Sequence, residues 1–224
     1  NFTGGNTTVT VDDVTNTTGT GLSTYVGGGT TTITATGSIT GSADGLYIYS
    51  GGTTTVNATG PITGESAGLR AYNSGTMDIT VTSVDGEIGY GVALGGEGGE
   101  SVSLTATGAI TGVGGGVSVY GSETVTLSLA SVTAEDGEGE GDGDGIVVGI
   151  YGNGNSSVAA TGPISANGVG VSLQHSSSGD ATVSVTSVTA GEEGIRIYGS
   201  GHGEGEYGYT GNISVTATDT ITAG

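Results

Sequence analysis

Apolar residues alternate with threonine and serine along nearly the whole chain. One segment places Ile33, Ala35, Gly37 and Ile39 at every second position, and the same order returns as Val56, Ala58, Gly60 and Ile62. Period two is the mark of a strand with one buried face. A second kind of segment opens on glycine: Gly45, Leu46, Ile48, Tyr49, and again Gly194, Ile195, Ile197, Tyr198. Its opening glycines are Gly21, Gly45, Gly68, Gly91, Gly116, Gly145, Gly170 and Gly194, spaced by 24, 23, 23, 25, 29, 25 and 24 residues. Apolar residues nowhere recur at helical spacing, and the Gly, Ser, Thr and β-branched content disfavours helix. The pattern predicts short strands at a nearly fixed interval.

A strand pair with one thin apolar face cannot stand alone, whereas stacked copies bury a continuous core. The expected fold is all-β: a single β-solenoid, a three-faced parallel β-helix of about 8–9 coils with ~24 residues per coil. Equivalent residues would then sit above one another at about 4.8 Å. Pro61 and Pro163 share one slot, between the glycine and the isoleucine of the first segment. Proline cannot donate to a ladder, so that slot reads as a corner. Val81-Thr-Ser-Val84, Leu129-Ala-Ser-Val132 and Val185-Thr-Ser-Val188 drop one residue there, as a corner allows. One domain covers residues 1–224, with loop insertions near 135–144 and 199–211. Ile33, Ile39, Leu46 and Ile48 are expected inside, with Thr32, Thr34 and Tyr49 outside. Neither end shows a capping pattern, so both terminal coils are expected to offer strand edges to another chain.

Composition bounds the partners. The chain has 50 Gly, 22 Asp and Glu, two Arg, no Lys and a net charge of −20. That balance borders on intrinsic disorder. The fixed interval between large apolar residues is what a disordered chain would lack. Gripping phosphate needs Lys and Arg, so nucleic acid and anionic membranes are excluded as partners. The longest apolar run, Gly145 to Ile150, is far too short to span a bilayer, so the chain is not expected to be membrane-spanning.

The repeat V-x-A-T-G-x-I-x-G followed by Asp-Gly-Leu or Asp-Gly-Ile, seen at Asp44-Gly45-Leu46 and Asp144-Gly145-Ile146, resembles the passenger regions of bacterial autotransporters and related surface adhesins. The resemblance covers almost the whole chain and concerns the repeats alone, with no translocator barrel. It implies a right-handed β-helix exported to the cell surface.

Candidate chemistry is sparse. Glu138, Glu140, Asp142 and Asp144 alternate with glycine inside the first insertion. In an extended chain they share one side, and a row of hard oxygen ligands suits Ca²⁺. The bland reading is a solvated loop. His202, Glu204 and Glu206 form a second alternating set in the second insertion. His175-Ser-Ser-Ser-Gly-Asp180 holds the residue types of a catalytic triad, but triads are assembled from distant segments and this is one local loop. With only Arg70 and Arg196 as cations and no marked carboxylate pair, no enzyme is expected.

Tyr25, Tyr49, Tyr72, Tyr120 and Tyr198 share the slot after the second strand and should point outward, stacked as a ladder or serving as an aromatic strip that binds sugars. Outward pairs such as Thr8 and Thr10, Thr32 and Thr34, Ser103 and Thr105, Thr126 and Ser128, Ser214 and Thr216 form an array like that of some ice-binding solenoids. Asn57, Asp78 and Ala159 interrupt it. Glycosylation sequons stand at Asn1, Asn6, Asn16, Asn57, Asn155 and Asn212. The expected function is an extracellular structural or adhesive solenoid at the cell surface. It would stack head-to-tail with copies of itself into a filament, or form a segment of a longer surface adhesin that meets a receptor or glycan. The alternative is a carbohydrate- or ice-binding module on an outward face.

Overall fold

A computed structural model of the chain describes residues 5–96, 101–121, 123–136, 143–176, 178–199 and 211–224. All regular structure among these residues is β-strand, and every strand pair is parallel. The second coil shows the plan: Thr30–Ala35, then Ile39–Gly41, then Asp44–Ser50. These segments form three faces of a β-solenoid. The first two belong to one 14-stranded sheet, and the third builds an eight-stranded sheet, one strand per coil.

The spacing of the glycines sets the register residue by residue. Leu22, Leu46, Leu69, Val92, Val117, Ile146, Val171 and Ile195, each next to an opening glycine, pair in a single column. On the first face the column runs Val9, Ile33, Val56, Ile79, Leu104, Leu127, Val158, Val183, Val215. The opening glycines have a steric cause. A Cβ on Gly45 would lie 2.6 Å from the carbonyl oxygens of both Thr63 and Gly68. The backbone of one coil there touches the backbone of the next, leaving no room for a side chain.

The corner between the first two faces absorbs differences in length. Pro61 stands between the strands Thr53–Ala58 and Ile62–Gly64. In later coils one strand bends through the corner, as in Val102–Gly112 and Ser156–Ala166, with register shifts between Leu129 and Val132 and between Ala160 and Pro163. Threonine hydroxyls clamp this corner from coil to coil. Thr59 donates to the carbonyl of Thr36 at 3.3 Å, and Thr82 to that of Thr59 at 3.0 Å. In the first coil an acidic residue does the work. Asp13 accepts the Ser38 amide at 2.7 Å, a bond that holds its carboxyl below the usual carboxylate range.

Both insertions lie in the sequence between strands of two different faces. Pairing resumes on each side of the first, where Glu135 donates to Gly112 and Gly168 to Gly143. The second lies between the third-face strand Ile195–Gly199 and the first-face strand Ile213–Ala217.

Ile33, Ile39, Leu46 and Ile48 are fully buried, Thr32 and Thr34 are half-buried, and Tyr49 is 51% exposed, as the alternation requires. The inward set also holds polar members that alternation alone did not single out. Thr31 and Thr54 are buried, and the Thr31 hydroxyl lies 3.3 Å from that of Ser50 inside the coil.

Burial on this alternation gives a direct test. Ile79 is fully buried, whereas its neighbour Thr80 is exposed. We expect Ile79→Ala to lower the unfolding free energy by about 2–5 kcal/mol, and Thr80→Ala to change it by no more than about 0.5 kcal/mol. Urea denaturation of the two variants checks the register, since a slip of one residue would exchange the two effects.

Candidate functional site

The third face gathers the aromatic and basic residues. Its strands project two outward columns. One holds Ser23, Tyr47, Arg70, Ala93, Ser118, Val147, Ser172 and Arg196 in register; the other holds Tyr25, Tyr49, Tyr72, Gly95, Tyr120, Gly149, Gln174 and Tyr198. Tyr90 begins one of these strands, and Tyr151 follows another. All eight described tyrosines and both arginines therefore lie on or beside this one sheet.

The five tyrosines predicted to share a slot do share it. Ring contact within the column is not what orders them. Tyr25 and Tyr72 both lean on Tyr47, in the neighbouring column, at centroid distances of 5.4 and 6.3 Å and interplanar angles of 37° and 59°. Coils about 4.8 Å apart would force rings in one column into a face-to-face sandwich. Tilted contacts across columns suit the ring quadrupoles better and contribute about 0.5–1.5 kcal/mol each. Burial and the neighbouring Tyr25 and Tyr72 push the Tyr47 phenol up. Tyr120 instead stacks on Tyr151 at 5.9 Å and 11°.

Glycines in the columns make room for the rings. A Cβ on Gly95 would lie 3.0 Å from Tyr72 Cδ1, one on Gly149 would lie 2.5 Å from Tyr120 Cδ1, and one on Gly115 would lie 2.5 Å from Tyr90 Cε1. Each ring covers the glycine of the following coil.

Two hollows result. The larger, about 200 Å³, is lined by Tyr72, Tyr90 and Tyr120, with Ala93, Gly95, Ser118 and Arg70 between them. The smaller, about 100 Å³, lies between Tyr49 and Tyr72 beside Asn73 and Ser74. Arg70 Nε stands 3.4 Å from Asp44 Oδ1 of the preceding coil. Burial pushes the Asp44 carboxyl up, and Arg70 opposes that shift. Arg196 pairs with Glu193 and, at 3.8 Å, with Glu192. Chemically, aromatic faces beside a few hydroxyls and a guanidinium are suited to cover the apolar face of a ligand while the polar groups meet its hydroxyls.

The other candidates fall elsewhere. Of the acidic row, Glu138, Glu140 and Asp142 lie outside the described residues, as do His202, Glu204, Glu206 and Asn1. Asp144 is described, and its carboxylate accepts the Val169 amide of the next coil at 2.7 Å. Among the described residues no three Asp, Glu or His side chains converge as a metal site. No described helix is long and apolar enough to cross a membrane.

The sequons divide by the use of their side chains. Asn16 donates its amide to the Thr20 carbonyl at 2.9 Å. Asn6 accepts from Thr30 at 3.1 Å. Asn155 accepts the Asp180 amide at 2.7 Å, and Asp180 in turn accepts the Asn212 side-chain amide at 2.9 Å, so these three form a ladder along one corner. Asn57 is exposed on the first face. The Thr and Ser array on that face is in register across the coils, with Asp78 pairing with Thr55 and Ser103 at one break.

His175 points inward. It is 1% exposed, and its Nε2 lies 2.7 Å from the Ser156 hydroxyl, also buried. The triad types thus resolve into a core pair, with Ser156 in place of the serines beside His175. Burial lowers the imidazole pKa. Between that lowered value and about 6.5 the unfolded chain binds a proton that the folded chain refuses, so stability rises with pH through the window. We expect the melting temperature to fall as pH drops below about 6.5, and to fall less steeply in His175→Gln. Melts by circular dichroism check this; parallel slopes would contradict it. Compared with known proteins, the chain matches no family model, no curated protein and no solved structure, so function rests on the chemistry of the faces.

Proposed function

We propose that the chain is an extracellular adhesive β-solenoid whose third face binds carbohydrate. The observation that carries this reading is the gathering of all eight described tyrosines and both arginines on one sheet of a strongly acidic chain. Tyr25, Tyr49, Tyr72 and Tyr198 remain 39–51% exposed. A chain with one Phe and no Trp places its aromatic surface where a ligand reaches it, instead of spending it on the core. The rod supports the same reading: nine first-face strands at about 4.8 Å give a stiff display surface. The repeats resemble surface adhesins, which accords with export to the cell surface.

A glycan array probed with the purified chain tests it. Binding is expected, and Tyr72→Ala with Tyr120→Ala should abolish it while the far-ultraviolet spectrum stays β-rich. An array without signal, or equal signal from the double variant, would overturn the reading.

A second reading, head-to-tail stacking into a filament, has its own support. The last described coil exposes Ile213, Val215 and Ile221 by 51, 47 and 42%, though their counterparts in earlier coils are core residues. On this reading a second copy covers them, where in a segment of a longer surface adhesin the next coil would. Light scattering over a concentration series is expected to show growing particles, and a stable monomer at high concentration would rule filaments out.

A further inference from the structure

Resting on the carbohydrate reading above, we infer that the ligand is a neutral, linear oligosaccharide that lies along the solenoid axis, with successive sugars over the Tyr49–Tyr72 and Tyr72–Tyr120 hollows. Geometry gives the direction. The smaller hollow lies between the second and third strands of this face, Asp44–Ser50 and Ala67–Asn73, and the larger spans Ala67–Asn73, Tyr90–Gly96 and Gly115–Gly121. Both share the Tyr72 ring, so they follow one another along the axis. A ligand that fills both is a chain, not a single ring.

The positions of the rings are set before any ligand arrives. Tyr72 is held between Tyr47 and the bare backbone of Gly95, and Tyr120 is stacked on Tyr151. A preset platform loses little side-chain entropy on binding. Gly95 is the break in the tyrosine column that opens the larger hollow; a tyrosine there would fill it.

Charge selects the ligand class. Among the described residues the one charged side chain lining the larger hollow is Arg70, and Asp44 sits 3.4 Å from it. The cation is thus already balanced, inside the field of a chain of net charge −20. An anionic sugar would enter against that field and compete with Asp44 for Arg70. A neutral sugar offers Arg70 and Ser118 hydroxyls as acceptors and donors, and leaves the ion pair intact.

Calorimetry with the whole chain tests the inference. The probes are the mono-, di- and tetrasaccharides of neutral cello-, manno- and xylo-series, with tetragalacturonate as the acidic counterpart. At least one neutral series should gain tenfold or more in affinity from mono- to tetrasaccharide. Tetragalacturonate should bind at least tenfold more weakly, and improve with added salt. Gly95→Thr, whose Cβ would press on the Tyr72 ring from 3.0 Å and fill the floor of the hollow, should cancel the gain with length while the far-ultraviolet spectrum stays β-rich, whereas Thr80→Ala on the first face should leave the gain in place. If the acidic tetramer binds as tightly as the neutral ones, or affinity does not grow with length, the inference falls and carbohydrate adhesion survives. If no sugar binds at all, both fall together.

Discussion

Everything in this molecule depends on one constraint: each coil is hydrogen-bonded to the next in parallel, residue over residue. Parallel strands must repeat at about 4.8 Å along the stack, so every side chain has its equivalent as nearest neighbour. A residue type tolerated once must be tolerated against its own copy. Isoleucine over valine over leucine meets this condition inside, and threonine over threonine meets it outside. Glycine is forced wherever the coil turns so tightly that the backbones touch, as at Gly45 against Thr63 and Gly68. The same rule explains how a chain of 50 glycines escapes disorder. Most of its large apolar residues among those described stand in the stacked columns; Ile88, in a turn and 46% exposed, is an exception.

The constraint acts along the axis and leaves the corners free. Strand segments hold their register through all the described coils, while the corner at Pro61 and Pro163 gains or loses a residue without disturbing either neighbour. Insertions fall between strands of different faces for the same reason. That corner is still tied by side chains, threonine hydroxyls on the preceding carbonyls and Asp13 on Ser38, and the Asn155–Asp180–Asn212 ladder ties another corner, where the first face opens. Polar side chains in series thus replace the ladder bonds that a bend cannot make.

That division also sets what the sequence could show. Spacing along the chain fixes spacing along the axis, so the glycine intervals yield the column of Leu46, Leu69 and Val92 without a structure. The alternation yields Ile48 inside and Tyr49 outside. What stays hidden is contact between columns. Tyr47 is a member of a column that otherwise holds serine, arginine, alanine and valine, and nothing in its own column marks it as the partner of Tyr25 and Tyr72. Tyr90 opens a strand and Tyr151 follows one, both outside the repeated slots, so the spacing does not mark them. His175 looked like loop chemistry because its neighbours are serines; the fold pairs it instead with Ser156, 19 residues earlier and across the interior of one coil.

A solenoid built on identical neighbours has no obvious place for a site, since a site needs unlike groups side by side. Here the unlike groups come from defects in the columns. Gly95 and Gly149 break the tyrosine column, and each defect lets the ring before it lie down and opens ground beyond it. Arg70 breaks the small-residue column beside Tyr72, with Asp44 one coil away to hold it. None of these changes disturbs the inward neighbours Leu69, Ala71, Val92, Leu94, Val148 and Ile150, which stay buried. The core therefore carries the regularity that folding requires. The outward columns are released to vary, and it is their irregularity that sets the hollows beside Tyr72 apart from the regular rod.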